Sequence, residues 1–245
     1  RAELLTNTIQ RDAAMNQPDR ARLLEAFATV RVADVRDGMD TLLMHGKGSM
    51  SPAIRPLWRT RAFGIARTAR YVAFDGAVPE LSPEEYWKWV GTYYRDVCPY
   101  PWMQEIEPGD FIVIDQNGID AGLMGSENTL GGIRRGAHGY VSNGGVRDTD
   151  EVILQKVPFW SALVSQSMVQ ARLKYDAHNV PVTVGGVLVN PGDVVVADGD
   201  GVIVVPAEHA LDVARYADEE HRRDMVHRRK HYDGLGMEPD ATVAG

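Results

Sequence analysis

The residue pair best suited to chemistry is Arg147-Asp148, which follows the short apolar run and Asn-Gly-Gly turn of residues 139–146. The planar guanidinium of arginine donates paired hydrogen bonds to carboxylates and phosphates. The neighbouring carboxylate offers the hard oxygen ligands that a cation such as Mg²⁺ prefers. Held at the end of a strand, the pair could bind an acidic substrate and a metal ion together. An isolated Arg-Asp dipeptide, in contrast, is more often a local ion pair.

The elements that must position this pair mix helices and strands. Apolar residues at helical spacing predict helices near the N-terminus, and apolar runs bounded by proline and glycine predict strands. In chain order, the elements predicted before residue 182 are a helical segment over residues 1–31, a helix over 35–43, strands separated by turns over 54–74, a strand over 111–114, a helix over 130–135, a strand into Gly144, a short helix after Asp148 and a strand over 157–164.

Four β-branched runs between residues 182 and 205 are the clearest strand predictions, because turn-forming sequences separate them. One of these turns, Asp198-Gly-Asp-Gly201, lacks the glutamate and the helix-loop-helix setting of a calcium loop, so a tight turn is expected there. A long charged helix is predicted at about 207–231, with an apolar face formed by Ala210, Val213, Ala214 and Ala217. This order of elements indicates an α/β fold with more than one sheet.

The composition indicates a soluble globular protein and argues against some partners. With 245 residues, 44% of them hydrophobic, the chain can bury a substantial core, and no linker or repeat divides it, so a single domain over 1–245 is expected. A net charge of −8 argues against a nucleic-acid surface, and no apolar run is long enough for a membrane helix. The single cysteine, Cys98, and an N-terminus without a secretory pattern favour a reducing, cytoplasmic location.

A set of mostly glycine-containing motifs, taken in order, resembles one family. These motifs are Gly122–Gly125, Gly136–Gly139, Gly144–Asp148, Val182–Gly186, Asn190–Asp193 and Asp198–Pro206. The chain is similar to the RraA-like family, which includes the 4-hydroxy-4-methyl-2-oxoglutarate / 4-carboxy-4-hydroxy-2-oxoadipate aldolases, weakly over residues 30–75 and well over 108–220. The resemblance implies an α/β/β/α sandwich of the swivelling type, assembled as a homotrimer or hexamer.

For the site, the resemblance implies a metal-dependent lyase that cleaves or decarboxylates a short 2-oxo di- or tricarboxylic acid through a pyruvate enolate. Asp148 would hold Mg²⁺, or another divalent cation such as Mn²⁺, and Arg147 would bind the substrate carboxylate and oxo group. The loop Gly125-Ser126-Glu127-Asn128, which leads into a helix, would bind the pyruvyl carboxylate through free backbone N–H groups. The family has an acidic residue where this chain has Ser126, a poor base that can only orient a water. Glu127 could supply the missing proton relay, or it could equally be a first-turn residue that the helix dipole favours.

Three alternatives stay open. The family's namesake inhibits ribonuclease E by protein–protein contact, so a non-catalytic regulatory protein is the second functional interpretation. The aromatic segment at about 79–105, an insertion relative to the family, could line a substrate pocket, although packing in a core or a subunit interface is favoured. His227 and His231 lie four residues apart and could share a metal, although a solvated or intersubunit helix is the simpler interpretation.

Overall fold

A computed structural model of the protein describes residues 17–243. Helix α1 occupies Gln17–Ala26, and the earlier part of the predicted helical segment 1–31 lies outside the described residues. The other helices are α2 Val32–Thr41, α3 Pro83–Asp96, α4 Ser126–Arg135, α5 Thr149–Leu154 and α6 Ala210–Leu235, with 3₁₀ turns at Pro101–Glu105 and Ala207–His209. Over residues 17–243, no helix combines the length and the apolar character needed to cross a bilayer.

One large mixed sheet and one small hairpin complete the fold. The strands are β1 Arg55–Pro56, β2 Ala62–Ala73, β3 Asp110–Asp115, β4 Gly122–Met124, β5 Gly139–Val146, β6 Phe159–Val164, β7 Leu173–His178, β8 Val182–Val184, β9 Val187–Val189, β10 Val194–Asp198 and β11 Gly201–Val205. The large sheet has the order β1-β6-β5-β3-β2-β10-β11, with β4 beside β5 and β7 beside β2. Strands β2, β3, β5 and β6 are parallel, whereas β10 and β11 form an antiparallel hairpin that β8 and β9 repeat on a smaller scale.

Alternating side chains divide the interior into three apolar layers. In β10, Val194 and Val196 pack with α1, α2 and α6, whereas Val195 and Ala197 point into a central layer. In β3, Phe111 and Val113 belong to the same central layer, whereas Ile112 and Ile114 pack beneath the aromatic segment. Because successive strand residues face opposite sides, one curved sheet supplies both β layers, and helices cover it on both outer faces. The order of layers is therefore α/β/β/α.

The apolar face predicted for helix α6 is confirmed by the burial of its residues. The four residues of that face are all buried against α2 and the β10–β11 hairpin: Ala210, Val213, Ala214 and Ala217. Gly38 of α2 permits this contact, because an added Cβ there would lie 2.6 Å from the carbonyl oxygen of Val213. The helix begins at Ala210, three residues later than predicted, because a 3₁₀ turn follows Pro206.

The prediction of strands separated by turns over residues 54–74 was confirmed in part, and two strands elsewhere were not predicted. Residues 54–74, predicted as several strands, contain the two-residue β1 and one continuous strand of 12 residues, β2. Gly64 lies inside β2, where an added Cβ would meet the carbonyl oxygen of Gly109 at 2.5 Å. Strands β4 and β7 were not predicted, because β4 has only three residues and β7 is polar and half-buried. The turn between β10 and β11 is tight, as expected, since Asp198 pairs directly with Gly201.

Candidate functional site

The candidate site lies where the parallel strands end, which is the usual position of ligand sites in such sheets. Strand β5 ends at Val146, so that Arg147 and Asp148 follow it directly. Strand β4 ends beside it, with Met124 paired to Val146, and Gly125 then begins α4. The backbone N–H of Arg147 donates to the carbonyl oxygen of Met124 at 3.0 Å. Residues 125–128 and the Arg147-Asp148 pair are therefore adjacent where β4 and β5 end.

The carboxylate of Asp148 connects these two segments. Its Oδ1 accepts a hydrogen bond from Nε of Arg147 at 3.1 Å, and its Oδ2 accepts one from the backbone N–H of Ser126 at 3.3 Å. Gly125 is the N-cap residue of α4 and has no side chain to satisfy the first N–H groups of the helix. Asp148 supplies the missing acceptor from 22 residues away, and the positive end of the helix dipole stabilises its charge.

The backbone of Asp148 is in the left-handed region, with φ of 54°. A residue with a side chain reaches this region only at a cost in free energy, typically about 1–3 kcal/mol, and such residues cluster at functional sites. The conformation turns the chain sharply between β5 and α5, so that the carboxylate faces α4. The left-handed conformation therefore orients the carboxylate toward the N–H of Ser126.

Two glycines leave the space that these side chains occupy. A Cβ on Gly122 would lie 2.6 Å from Cγ of Arg147 and 2.7 Å from its Cδ. A Cβ on Gly125 would overlap Oδ2 of Asp148. Carbon atoms normally stay about 3.5–4.0 Å apart, so neither glycine can be replaced unless the charged side chain moves.

A cavity of about 380 Å³ opens above this arrangement. Five of the six residues predicted for the site line it: Gly125, Glu127, Asn128, Arg147 and Asp148. The sixth, Ser126, is not among the lining residues and contributes its backbone N–H to Asp148. The side chains of Arg147 and Asp148 are 33% and 34% exposed, so that both remain accessible to a ligand while their stems are held in place.

Four further residues line the cavity and were not assigned to the site from the sequence: Tyr94, Tyr100, Gly122 and Leu123. Both tyrosines come from the aromatic segment, in which Tyr93 and Trp102 are buried in the core, as favoured from the sequence, whereas Trp87 is exposed. Tyr100 is fixed, because its hydroxyl donates to the carbonyl oxygen of Leu123 at 2.8 Å. Burial raises the pKa of Tyr100 well above its ordinary value, so its hydroxyl remains protonated.

The donor set around the cavity suits a hydrated Mg²⁺ better than a metal enclosed by side chains. Within residues 17–243, no three histidine, cysteine, aspartate or glutamate side chains cluster as metal ligands, and His227 and His231 belong to no such group. Mg²⁺ usually keeps several waters and binds one or two carboxylates together with oxygens of its substrate. Asp148, with Glu127 on the same cavity, meets that requirement.

The chain is similar in sequence to members of one family. The family described as "RraA-like: Aldolase/RraA" matches residues 31–204. A protein of Halalkalibacterium halodurans, named as a candidate 4-hydroxy-4-methyl-2-oxoglutarate aldolase, is 31% identical over 213 residues, which are 85% of this chain and 88% of that protein. Protein DlpA of Legionella pneumophila is 27% identical over 84% of this chain, but the match spans only 30% of DlpA's own length.

Solved structures share the fold. RraAS2 of Streptomyces coelicolor, described as an unusual member of the RNase ES inhibitor RraA protein family, has a TM-score of 0.66 and 27% identity, covering 84% of this chain and 96% of that one. An uncharacterized protein from Pseudomonas syringae has a TM-score of 0.68 and 25% identity, covering 86% and 93%. These similarities confirm the α/β fold predicted from the sequence.

Proposed function

Since the chain belongs to the RraA-like family, we propose that it is a lyase that cleaves or decarboxylates a short 2-oxo acid. The observation that carries the proposal is the convergence of Arg147, Asp148 and the first turn of α4 on one cavity. The names of several relatives as candidate aldolases support lyase chemistry for a site of this kind.

The protein side of the site is arranged to bind the 2-oxo carboxylate end of a substrate. The guanidinium of Arg147 uses Nε for Asp148, which leaves its terminal N–H groups for the substrate carboxylate and oxo oxygen. The amides of Glu127 and Asn128 begin α4 and have no carbonyl four residues earlier in the helix. They can donate to the same anion, and the helix dipole adds to the attraction.

Breaking the C3–C4 bond of the 2-oxo acid transfers its electron pair to C3 and the oxo group, which leaves a pyruvate enolate with negative charge on the former ketone oxygen. The donors of Arg147 stabilise that oxygen more strongly as the charge grows, which is the basis of electrostatic catalysis. A Mg²⁺ ion held by Asp148 would supply Lewis-acid polarisation of the 2-oxo group. Asp148 is already oriented for this role by Ser126 and by its own backbone conformation.

Glu127 is the group that we assign to proton transfer. It lies in the first turn of α4, is exposed and lines the cavity. Retro-aldol cleavage needs a base to remove the hydroxyl proton of the substrate, and a carboxylate can do so directly or through one water. Ser126, at the position where the resemblance implies an acidic residue, has no carboxylate to offer.

The test is a lyase assay with purified protein, Mg²⁺ and a panel of 4-hydroxy-2-oxo acids and β-carboxylated 2-oxo acids. We expect release of pyruvate or CO₂ that a chelator stops. Asp148→Ala should abolish turnover, whereas Asp150→Ala, an exposed neighbour outside the cavity, should leave it unchanged. Turnover that survives Asp148→Ala, or no turnover on any acid in the panel, would contradict the proposal.

A second candidate function is a non-catalytic regulatory protein. Ser126 in place of an acidic residue favours it, and so does the likeness to RraAS2, whose description names an RNase ES inhibitor family. If the chain acts only by protein–protein contact, Asp148→Ala should not change that activity, because the carboxylate faces the cavity and α4. The same variant therefore separates the two functions.

A further inference from the structure

The aromatic segment contributes one wall of the cavity, and that wall bears on the identity of the substrate. We infer that the lyase acts on a 2-oxo acid whose distal end, away from the 2-oxo carboxylate, is an aromatic or similarly apolar group rather than a second carboxylate. The inference rests on the proposed function, because it assumes that Arg147 and the first turn of α4 bind the 2-oxo carboxylate end.

The first reason is the charge of the cavity. Among the lining residues that the structure describes, Arg147 is the only cation, whereas Asp148 and Glu127 are both acidic. Arg147 is committed to the 2-oxo carboxylate in the proposed binding mode. A second substrate carboxylate would enter the cavity beside the carboxylate of Glu127 without a side-chain cation to pair with it, and bringing like charges together is unfavourable.

The second reason is the chemistry of the tyrosine wall. Tyr94 and Tyr100 both line the cavity, and their rings are nearly parallel, with centroids 6.3 Å apart and planes 26° apart. The hydroxyl of Tyr100 is used by Leu123 and stays protonated. Of the two tyrosines, Tyr94 has its hydroxyl available for a distal carboxylate, and a neutral donor cannot replace a cation. Ring faces are instead well suited to a flat apolar group.

The third reason is size. The cavity of about 380 Å³ corresponds to roughly a dozen water volumes, which is more than the three carbons of a pyruvyl group fill. Beyond the Arg-Asp pair and the start of α4, the cavity is lined by Tyr94 of α3 and by Tyr100, which precedes the 3₁₀ turn; both belong to the aromatic segment. The inserted segment therefore gives the site a distal compartment that the Arg-Asp pair and α4 do not form by themselves.

Binding of three commercially available 2-oxo acids tests the inference without requiring turnover. Pyruvate probes the common end alone, 2-oxoglutarate adds a distal carboxylate, and phenylpyruvate adds an aromatic ring. Calorimetry in the presence of Mg²⁺ should show phenylpyruvate binding about tenfold tighter than pyruvate, because ring stacking and burial contribute on this scale. We expect 2-oxoglutarate to bind no tighter than pyruvate.

Variants assign the preference to the wall. Tyr94→Ala should reduce the advantage of phenylpyruvate over pyruvate to about threefold or less, while Tyr94→Phe, which keeps the ring, should retain it. Tyr86→Ala removes another half-buried tyrosine of α3 that does not line the cavity, and it should retain the preference as well. Arg147→Ala should weaken all three acids, which excludes binding of the ring at an unrelated surface.

The possible results separate this inference from the proposed function. Pyruvate binding that depends on Arg147, with 2-oxoglutarate preferred over phenylpyruvate, would overturn the aromatic distal group and leave the lyase proposal standing. A preference for phenylpyruvate that Tyr94→Ala leaves unchanged would also overturn the inference. Thermal denaturation must show that Tyr94→Ala is folded, and Tyr94→Leu is used instead where that variant is unfolded. Failure of all three acids to bind would overturn both proposals.

Discussion

Replacing Gly122 by alanine should impair the site without unfolding the protein. The backbone of Gly122 does not require a positive φ, so alanine is compatible with its conformation. The new Cβ would, however, lie 2.6 to 2.8 Å from Cγ, Cδ and Cβ of Arg147. These atoms are the base of the side chain rather than its flexible end, so the whole arginine must move.

The structure sets the size of the effect. Moving the stem outward by about 1 Å, to an ordinary carbon–carbon distance, takes the guanidinium away from Asp148 and from the substrate. A hydrogen bond to a charged group contributes about 1.5–3 kcal/mol, which corresponds to a loss of about 10- to 150-fold in kcat/KM. The loss should exceed that of Ser126→Ala, because the hydrogen bonds of Ser126 to Asp148 and Thr129 use its backbone atoms, which alanine retains.

Steady-state kinetics on a 2-oxo acid that the protein turns over measures the loss in kcat/KM. Thermal denaturation measures whether Gly122→Ala remains folded. Gly91→Ala is the matched control, because it adds the same methyl group where no atom lies within 4 Å. Unchanged kcat/KM in Gly122→Ala, with kcat/KM of Gly91→Ala also equal to that of the wild type, would show that Arg147 need not hold its observed position. The reasoning about the site would then be refuted.

Three further predictions concern stability and reactivity. Gly91→Ala should stabilise exposed α3 by up to about 1 kcal/mol, seen as a rise of about 2–4 °C in Tm, and a lower Tm would contradict it. Asp110→Ala should destabilise the protein by about 3–5 kcal/mol in urea titrations, because it leaves Arg20 and Arg67 without the buried carboxylate that both contact, and a change below 1 kcal/mol would refute this. Cys98, buried with its pKa raised to about 12, should react with iodoacetamide at neutral pH only as fast as the protein unfolds, so fast labelling of native protein would contradict its burial.

Much of the fold could be predicted because local chemistry specifies it. The β10–β11 hairpin follows from its Asp-Gly-Asp-Gly turn, and α6 follows from apolar residues at helical spacing. Strand β7 was missed because it is polar and half-buried, so its sequence lacks an apolar pattern. Its pairing with β2 arises from tertiary contacts, which no local sequence signal carries.

The charged half of the site was predictable and the aromatic half was not. Arg147, Asp148 and the loop that starts α4 stand out as residue types suited to anions and metals. Tyr94 stands among seven tyrosines and tryptophans between residues 86 and 102, most of which pack against the core. Which of them reaches the cavity depends on how α3 lies on the sheet, and spacing alone does not determine that.

The most direct test of the central claim is a crystal structure of the protein with Mg²⁺ and oxalate, a planar dianion that resembles the enolate of pyruvate. We predict that oxalate lies in the cavity, with the metal at Asp148, one carboxylate at the first turn of α4 and the guanidinium of Arg147 beside it. Oxalate bound elsewhere, or held in the cavity without contact to Arg147 and Asp148, would contradict the account.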